Sequence, residues 1–244
     1  MTERVCIIPV RSGSKGVPHK NIRSFLGQPL LCHSVRHALD AEQFRHVAVT
    51  SDSDDYLDIA RDAGATLCIK RPDALATDTA NSMDVLFHAL EHCDRESPTP
   101  FETIVLLQAT SPLRSPVHIQ EAIAELENKQ LDSVVSVCAA KNSPYFNLLE
   151  RSTVNPETVS LSKALPDAIT RRQDAPEVFQ LNGSVYAWRR AALLSQRRTL
   201  CDKTGIYQMP GLYSVDIDTQ DDWAFAELAA RLVAEQSPSQ KDTD

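Results

Sequence analysis

From Val5 to Val10 the chain is almost continuously apolar and partly β-branched, which reads as a strand buried on both faces. The period then changes. Leu30, Leu31, Val35, Ala38 and Leu39 recur at helical spacing across Pro29–Ala41, and His46–Thr50 follows as a second strand, closed by the turn pair Ser51-Asp52. Asp54–Ala63 predicts a helix stopped by Gly64, Thr66–Ile69 a third strand, Ser82–Cys93 an amphipathic helix and Thr103–Leu107 a fourth strand. Pro116–Lys129 is the next helix, with proline in its first turn, and Ser133–Val137 is a β-branched strand. This alternation predicts an α/β fold: a mostly parallel sheet with helices on both faces and right-handed crossovers.

Between residues 141 and 181 the alternation stops. Pro144, Pro156, Pro166 and Pro176 interrupt that stretch, which reads as an arm rather than another crossover. Val185–Trp188 and Tyr213–Ile217 look like later strands, and Thr219–Ala234 like a final helix capped by Thr219. The expected organisation is therefore a catalytic domain from 1–140 and 182–236, an arm from 141–181 and a flexible polar tail from 237–244. Tyr145, Phe146, Leu148, Leu149, Leu161 and Leu165 give the arm apolar surface that one small domain has no evident place to bury, so a homodimer is expected, joined through this arm.

Charge narrows the partners. With 25 Lys and Arg against 33 Asp and Glu the formal net charge is −8, which argues against a general nucleic-acid binder. No apolar run approaches the roughly 20 residues of a membrane helix, and the opening residues lead into a strand without a signal-peptide core, so a cytoplasmic location is expected. The six cysteines are dispersed without a C-x-x-C pair and read as reduced packing residues. His33/His37 and His88/His92 have the i, i+4 spacing of a metal grip, but neither pair belongs to H-E-x-x-H and no third ligand is evident.

The cations that remain are concentrated after the first strand. Arg11-Ser12-Gly13-Ser14-Lys15-Gly16-Val17-Pro18-His19-Lys20-Asn21 combines two glycines with Arg11, Lys15 and Lys20 at the sheet edge where open α/β folds bind ligands, which predicts a phosphate cradle. Its glycine spacing matches neither G-x-G-x-x-G nor G-x-x-x-x-G-K-[ST]. Asp216-Ile217-Asp218 would, on an extended strand, turn two carboxylates to one face about 7 Å apart, an arrangement suited to magnesium; alternatively Asp218-Thr219 only enters and caps the last helix. Leu106-Leu107-Gln108-Ala109-Thr110-Ser111-Pro112-Leu113-Arg114 sets a polar cluster at the end of another strand, where Gln108 suits sugar hydroxyls and Arg114 is either a ligand contact or a brace.

Together these stretches resemble the acylneuraminate cytidylyltransferases, which activate nine-carbon keto-acid sugars with CTP. R-S-G-S-K-G-V-P-H-K-N looks like their signature loop, L-Q-A-T-S-P-L-R matches a second motif, and residues 71–82 resemble a third, the segment around the cytosine and ribose. The resemblance spans residues 4 to 235 and implies a Rossmann-like nucleotide-binding fold. It implies that Arg11, Lys15, Lys20, Asn21, Arg71 and Ser82 contact the nucleotide, although Ser82 also suits a plain N-cap. It further implies magnesium on Asp216 and Asp218, with Arg11, Lys20 and both aspartates as the catalytic set, and a sugar pocket with Gln108, Asn182 and, reaching across from a second subunit, Arg172. Pro144-Tyr145-Phe146-Asn147-Leu148 departs from the lysine-containing wording of some sialic-acid enzymes and is closer to the branch acting on legionaminic acid, which would make Phe146 a specificity contact. The rival readings are an enzyme for pseudaminic acid or an eight-carbon keto acid, whose sister family opens differently, and an inactive nucleotide-binding module.

Overall fold

The computed structural model describes residues 3–14, 16–77, 79–164 and 171–236. In chain order the elements are β1 (Arg4–Pro9), a small hairpin of β2 (Ser24–Phe25) and β3 (Gln28–Pro29), α1 (Leu30–Asp40), β4 (His46–Ser51), α2 (Asp54–Asp62), β5 (Leu67–Lys70), α3 (Ser82–Arg95) and β6 (Thr103–Leu107). There follow α4 (Pro116–Asn128), β7 (Ser133–Ala139), β8 (Leu149–Arg151), β9 (Val159–Leu161), β10 (Phe179–Arg189), α5 (Arg190–Gln196), β11 (Thr204–Gln208) and α6 (Gln220–Gln236).

Seven strands form one sheet in the order β11-β7-β10-β6-β1-β4-β5. β1 lies parallel to β4 and to β6, with Ile7 opposite Ala48 on one side and Leu106 on the other. β10 enters antiparallel beside β6. Because β1 crosses over to β4 while β6 lies on its other side, the carboxyl end of β1 is a topological switch point, where the outgoing loops diverge and leave a crevice.

Alternation along β1 builds a core on each face. Cys6 and Ile8 join α1, α2 and α4 through Leu31, Val35, Leu57, Ile119 and Ile123. Val5 and Ile7 pack under α3 and α5 with Leu86, Leu90, Trp188 and Leu193. A third cluster joins distant segments: Val17 of the glycine loop, Phe25 and Leu30 meet Val215, Ile217 and α6 residues Trp223, Ala226 and Ala229. Trp223 stands edge-on to Phe25 at 5.5 Å, with the Arg23 guanidinium 4.3 Å above its ring centroid. Each such buried apolar side chain contributes roughly 1.5–3 kcal/mol, so this cluster ties the loop after β1 to the segment before α6.

The described residues divide into two compact units. One contains those up to Val137 together with those from Leu181 onward, and the other runs from Cys138 to Gln180. Within the second, β8 and β9 form an antiparallel hairpin pairing Leu149 with Leu161. Leu165 and the tail 237–244 lie outside the described residues.

One expected strand is absent. Gly211–Tyr213 is a 3-10 turn and 214–219 joins no ladder. Val215 and Ile217 are buried while Asp216 and Asp218 turn away, so the period of two survives. The backbone is held instead to the loop after β6, where Ile217 N–H donates to the Thr110 carbonyl at 2.9 Å. Side-chain alternation followed burial in the third cluster, and burial alone does not supply a neighbouring strand. Thr219 does cap α6, its hydroxyl accepting from Asp222 N–H at 3.2 Å while Asp222 Oδ2 accepts from Thr219 N–H at 2.8 Å.

Candidate active site

At the switch point lies a cavity of about 570 Å³ lined by Pro9, Val10, Arg11, Ser14, Gly16, Lys20, Asn21, Arg71, Ser82, Gln108, Ala109, Thr110, Asp216 and Asp218. Residues more than two hundred positions apart therefore converge on one space. A neighbouring cavity of about 270 Å³ shares Arg11, Arg71, Ser82 and Gln108 and adds Leu75, Thr77, Ala80 and Val85. A larger open cleft of about 940 Å³ borders the amino-terminal ends of β1 and β6. Among its charged residues, Glu127 is forked by Arg4 and Arg190 grips Asp94, so that charge is already committed to structure.

The cationic wall is built by tethering the backbone around Arg11. Val10 N–H continues the sheet to the Thr50 carbonyl at 3.0 Å, and the Val10 carbonyl accepts from the Arg71 guanidinium. Asn21 Nδ2 donates to the Arg11 carbonyl at 3.0 Å. Ser12 gives Asp52 both its backbone N–H, at 3.0 Å, and its hydroxyl, at 2.5 Å. Arg71 is almost fully buried; desolvation, offset in part by Asp52, and the nearby positive charge of Arg11 hold its pKa below the ordinary guanidinium value. Two guanidiniums beside one cavity give it a positive wall that suits an anionic ligand.

Lys20 is buried, its ammonium donating to the Ile217 carbonyl and to Asp218 Oδ1 at 2.9 Å. Asp216 is half-buried, and burial first, then the negative charge of Asp218, raises its carboxyl pKa against the opposing Thr110 hydrogen bond and Lys20 charge. Its Oδ1 is buried with no hydrogen-bond partner among the described residues. A buried carboxylate oxygen left over beside a second carboxylate, both facing a cavity, is a donor set that suits a hard divalent cation, which typically takes one or two carboxylates plus phosphate oxygens. Among the described residues no cluster of three or more His, Cys, Asp or Glu is placed to hold a metal. His33 instead spends Nε2 on the Phe25 carbonyl at 2.8 Å.

Gly16 has a role that sequence spacing did not indicate. A Cβ there would fall well inside 3.0 Å of the Asp218 carbonyl, whereas one on Gly13 would meet nothing within 4 Å. The glycine loop thus packs backbone to backbone on the aspartate segment. Gly183, with φ of +68°, approaches from the other side; its Cβ would lie 3.4 Å from Asp216 Oδ2.

Several expected roles are redistributed. Helix α3 is capped by Asn81, whose side chain accepts from Met83 N–H at 2.9 Å, and Ser82 borders both cavities. Arg114 is a brace: wholly buried, it donates to the Ser184 carbonyl at 2.8 Å, to the Gln108 carbonyl at 2.7 Å and to Ser34. Asn182 is buried and away from the cavity lining, its Oδ1 accepting from Ser136 at 2.6 Å and its Nδ2 donating to Ser214 Oγ at 2.9 Å, which anchors the approach to Asp216. Phe146 lines a separate cavity of about 310 Å³ within the second unit, with Lys141, Gln173 and Pro176. Arg172 opens a short 3-10 turn, Arg172–Asp174, and Lys15 lies outside the described residues. Asp52, Thr110 and Gly183 were not among the expected site residues, Asp52 being read only as part of a turn; its available signal was its place at the end of a strand beside β1.

Comparison with known proteins follows the same outline. The profile of the family described as Cytidylyltransferase matches residues 5–237. The chain is 32% identical over 242 residues to "Post-translational flagellin modification protein B" of Campylobacter coli, covering 99% of this chain and 100% of that protein. It is 32% identical over 232 residues to "CMP-N,N'-diacetyllegionaminic acid synthase" of Campylobacter jejuni, covering 95% and 97%. Against "N-acylneuraminate cytidylyltransferase" of Streptococcus agalactiae serotype V identity is 34% over 221 residues, 90% of this chain but 51% of that protein, so the chain spans about half of that relative's length. In fold it resembles a CMP:2-keto-3-deoxy-manno-octonic acid synthetase solved with CTP, with a TM-score of 0.66 at 17% identity over 96% of this chain and 100% of the other.

Proposed function

The chain belongs to the cytidylyltransferase family, and we propose that it transfers the cytidylyl group of CTP to the anomeric hydroxyl of a nine-carbon 2-keto acid sugar of the N-acylneuraminate or legionaminate kind, releasing pyrophosphate. The observation that carries this reading is the single cavity lined by Arg11, Lys20, Asn21 and Arg71 on one wall and by Asp216 and Asp218 on the other. The sugar class is drawn from the names of two relatives, the legionaminic acid synthase matched over nearly its whole length and the N-acylneuraminate cytidylyltransferase matched over about half of its length.

In the reaction the anomeric oxygen bonds to the α-phosphorus of CTP, the bond from that phosphorus to the bridging oxygen breaks, pyrophosphate leaves and the hydroxyl proton is released. Arg11, Lys20 and Arg71 bind the triphosphate and stabilise the charge that spreads over its oxygens, and Lys15, in the same loop, joins them by its sequence position. Asn21 and Ser82 orient the nucleoside, and the smaller cavity, with its apolar Leu75 and Val85, suits the base. Gln108, which borders both cavities, orients the nucleotide or sugar hydroxyls. Asp216 and Asp218 would hold magnesium or a similar cation, which when bound neutralises the triphosphate.

The second unit fits a docking role. Its hairpin exposes Leu149, Val154 and Val159, the last two 93% and 56% accessible, which suits burial against a second copy. Arg172 of one chain would then meet the acid group of the sugar held by the other, and Phe146 would contribute to the choice of sugar. A cytoplasmic location agrees with the six free cysteines, and no described helix is long and apolar enough to cross a membrane.

The test is pyrophosphate release with CTP across sialic, legionaminic, pseudaminic and eight-carbon keto acids. A rate confined to the eight-carbon acid would move the substrate class, and silence with every acid would leave a nucleotide-binding module. Mixing Arg172→Ala with Arg11→Ala chains, each inactive alone, should restore activity through hybrid dimers; a fully active monomer in sedimentation would remove the shared site.

A further inference from the structure

Asp52 touches neither cavity, yet it accepts two hydrogen bonds from the residue next to Arg11. We propose that Asp52 is a positioning residue for nucleotide binding: its carboxylate grips Ser12 by backbone and side chain and so aims the Arg11 guanidinium at the triphosphate. The proposal rests on the cytidylyltransferase reading.

The geometry is that of a clamp. Ser12 N–H meets Oδ1 at 3.0 Å and Ser12 Oγ meets Oδ2 at 2.5 Å, so both oxygens of one carboxylate are used on one residue. Charge-assisted bonds of this kind are about twice as strong as neutral ones. The other backbone groups flanking Arg11 are held by Asn21 on the Arg11 carbonyl and by Arg71 on the Val10 carbonyl. Asp52 therefore holds the N–H side of the Arg11–Ser12 peptide, whose carbonyl side Asn21 holds, and it alone of these tethers also pins the Ser12 side chain. An arginine acts on phosphate through a planar fork, whose value depends on its being already aimed when the anion arrives.

Asp52 is itself fixed at the end of β4, where β4 pairs with β1 and β5, so the clamp transmits the rigidity of the sheet to the loop. Its negative charge also offsets the positive charge of Arg71, which stands with Arg11 beside one cavity. The Ser12 donors and the Arg71 charge outweigh the effect of burial and hold the Asp52 pKa below its ordinary value, so the clamp is charged at neutral pH.

Asparagine can keep both contacts, its Oδ1 accepting from Ser12 N–H and its amide donating to Ser12 Oγ, whereas alanine keeps neither. The experiment is a double-mutant cycle on CTP binding by calorimetry, with Asp52→Ala, Asp52→Asn, Ser12→Ala and Arg11→Ala. Asp52→Ala should weaken CTP at least tenfold in the parent and less than threefold in the Arg11→Ala background, Ser12→Ala should weaken it by a smaller factor, and Asp52→Asn should recover most of the loss. KM for the sugar should stay within twofold. An equal loss in both backgrounds, or an Asp52→Asn variant as weak as Asp52→Ala, would overturn the proposal. If Asp52→Ala does not fold, Ser12→Ala in the two Arg11 backgrounds carries the same comparison. A parent chain that binds no CTP refutes the functional reading instead, and amide exchange at Ser12, which Asp52→Ala should accelerate without any nucleotide, then reports on the grip by itself.

Discussion

Gly16→Ala separates two reasons for a glycine in this loop. A Cβ at Gly16 would overlap the Asp218 carbonyl, and that backbone must retreat by about 1 Å before the separation reaches the 3.0 Å below which real contacts essentially never fall. The retreat has nowhere easy to go, because Ile217 is buried in the third cluster and its N–H is bonded to Thr110. Overpacking of this kind costs roughly 1–3 kcal/mol, which for a chain of this size lowers Tm by about 2–12 °C. Displacing a positioned catalytic group by about 1 Å costs on the order of a hundredfold in rate. Gly16→Ala should therefore lose about two decades of kcat/KM in a pyrophosphate-release assay, with a modest fall in Tm. Gly13→Ala is the internal control, since its Cβ meets open space, and it should keep its Tm within a degree or two. A Gly16→Ala enzyme at the parental rate, or a Gly13→Ala enzyme equally damaged in both assays, would refute the backbone contact as the reason for the glycine.

Asp216→Asn and Asp218→Asn should each cut turnover by about a hundredfold or more and abolish the response to added divalent cation, while Asp216→Asn leaves Tm equal or higher because it discharges a buried oxygen without a partner; a double variant at the parental rate would end the metal assignment. Arg114→Met should destabilise by about 2–6 kcal/mol in denaturant titration, about 1–3 for each buried acceptor left unpaired, since it strips the Ser184 and Gln108 carbonyls of a buried donor, and Arg114→Lys should not restore the fork. His37 is depressed to about 3, by burial first and then by the charges of Arg114, His33 and His118. The unfolded chain therefore takes up a proton below about pH 6.5 that the folded chain refuses, and stability should fall as pH drops through that point toward 3; a His37→Leu variant with an unchanged slope of stability against pH would exclude this histidine.

The central sheet was legible because its strands carry their own signal. Val5–Val10 and Thr103–Leu107 are apolar runs flanked by turns, and such runs become parallel strands wherever both faces are covered by helices. Elements lacking that signal were missed. Thr204–Gln208 is half-exposed and contains Gly205, so neither continuity nor alternation marks it, and it is a strand because β7 offers it an edge. The Tyr213–Ile217 error has the converse cause: its alternation of buried and outward positions is real, but its hydrogen bonds go to a loop and to side chains.

The same division runs through the site. Residues that line the cavity could be picked out by type, because charge and turn chemistry at the end of a buried strand have few other uses; Arg11, Lys20, Asn21, Arg71, Gln108, Asp216 and Asp218 all border one cavity. Residues that hold those in place carry no such mark. Asp52 looks like a turn aspartate, Asn182 like a pocket amide and Gly16 like a hinge, and each is defined by a partner remote in sequence: Ser12, Ser214 and the Asp218 carbonyl. Gly16 and Val17 bring the middle of the glycine loop onto the aspartate segment, and Lys20 ties its end to Asp218. The cationic and acidic walls are therefore a single packed assembly, and a substitution in the third cluster, such as Trp223→Ala, should be felt at both walls together even though Trp223 borders neither cavity.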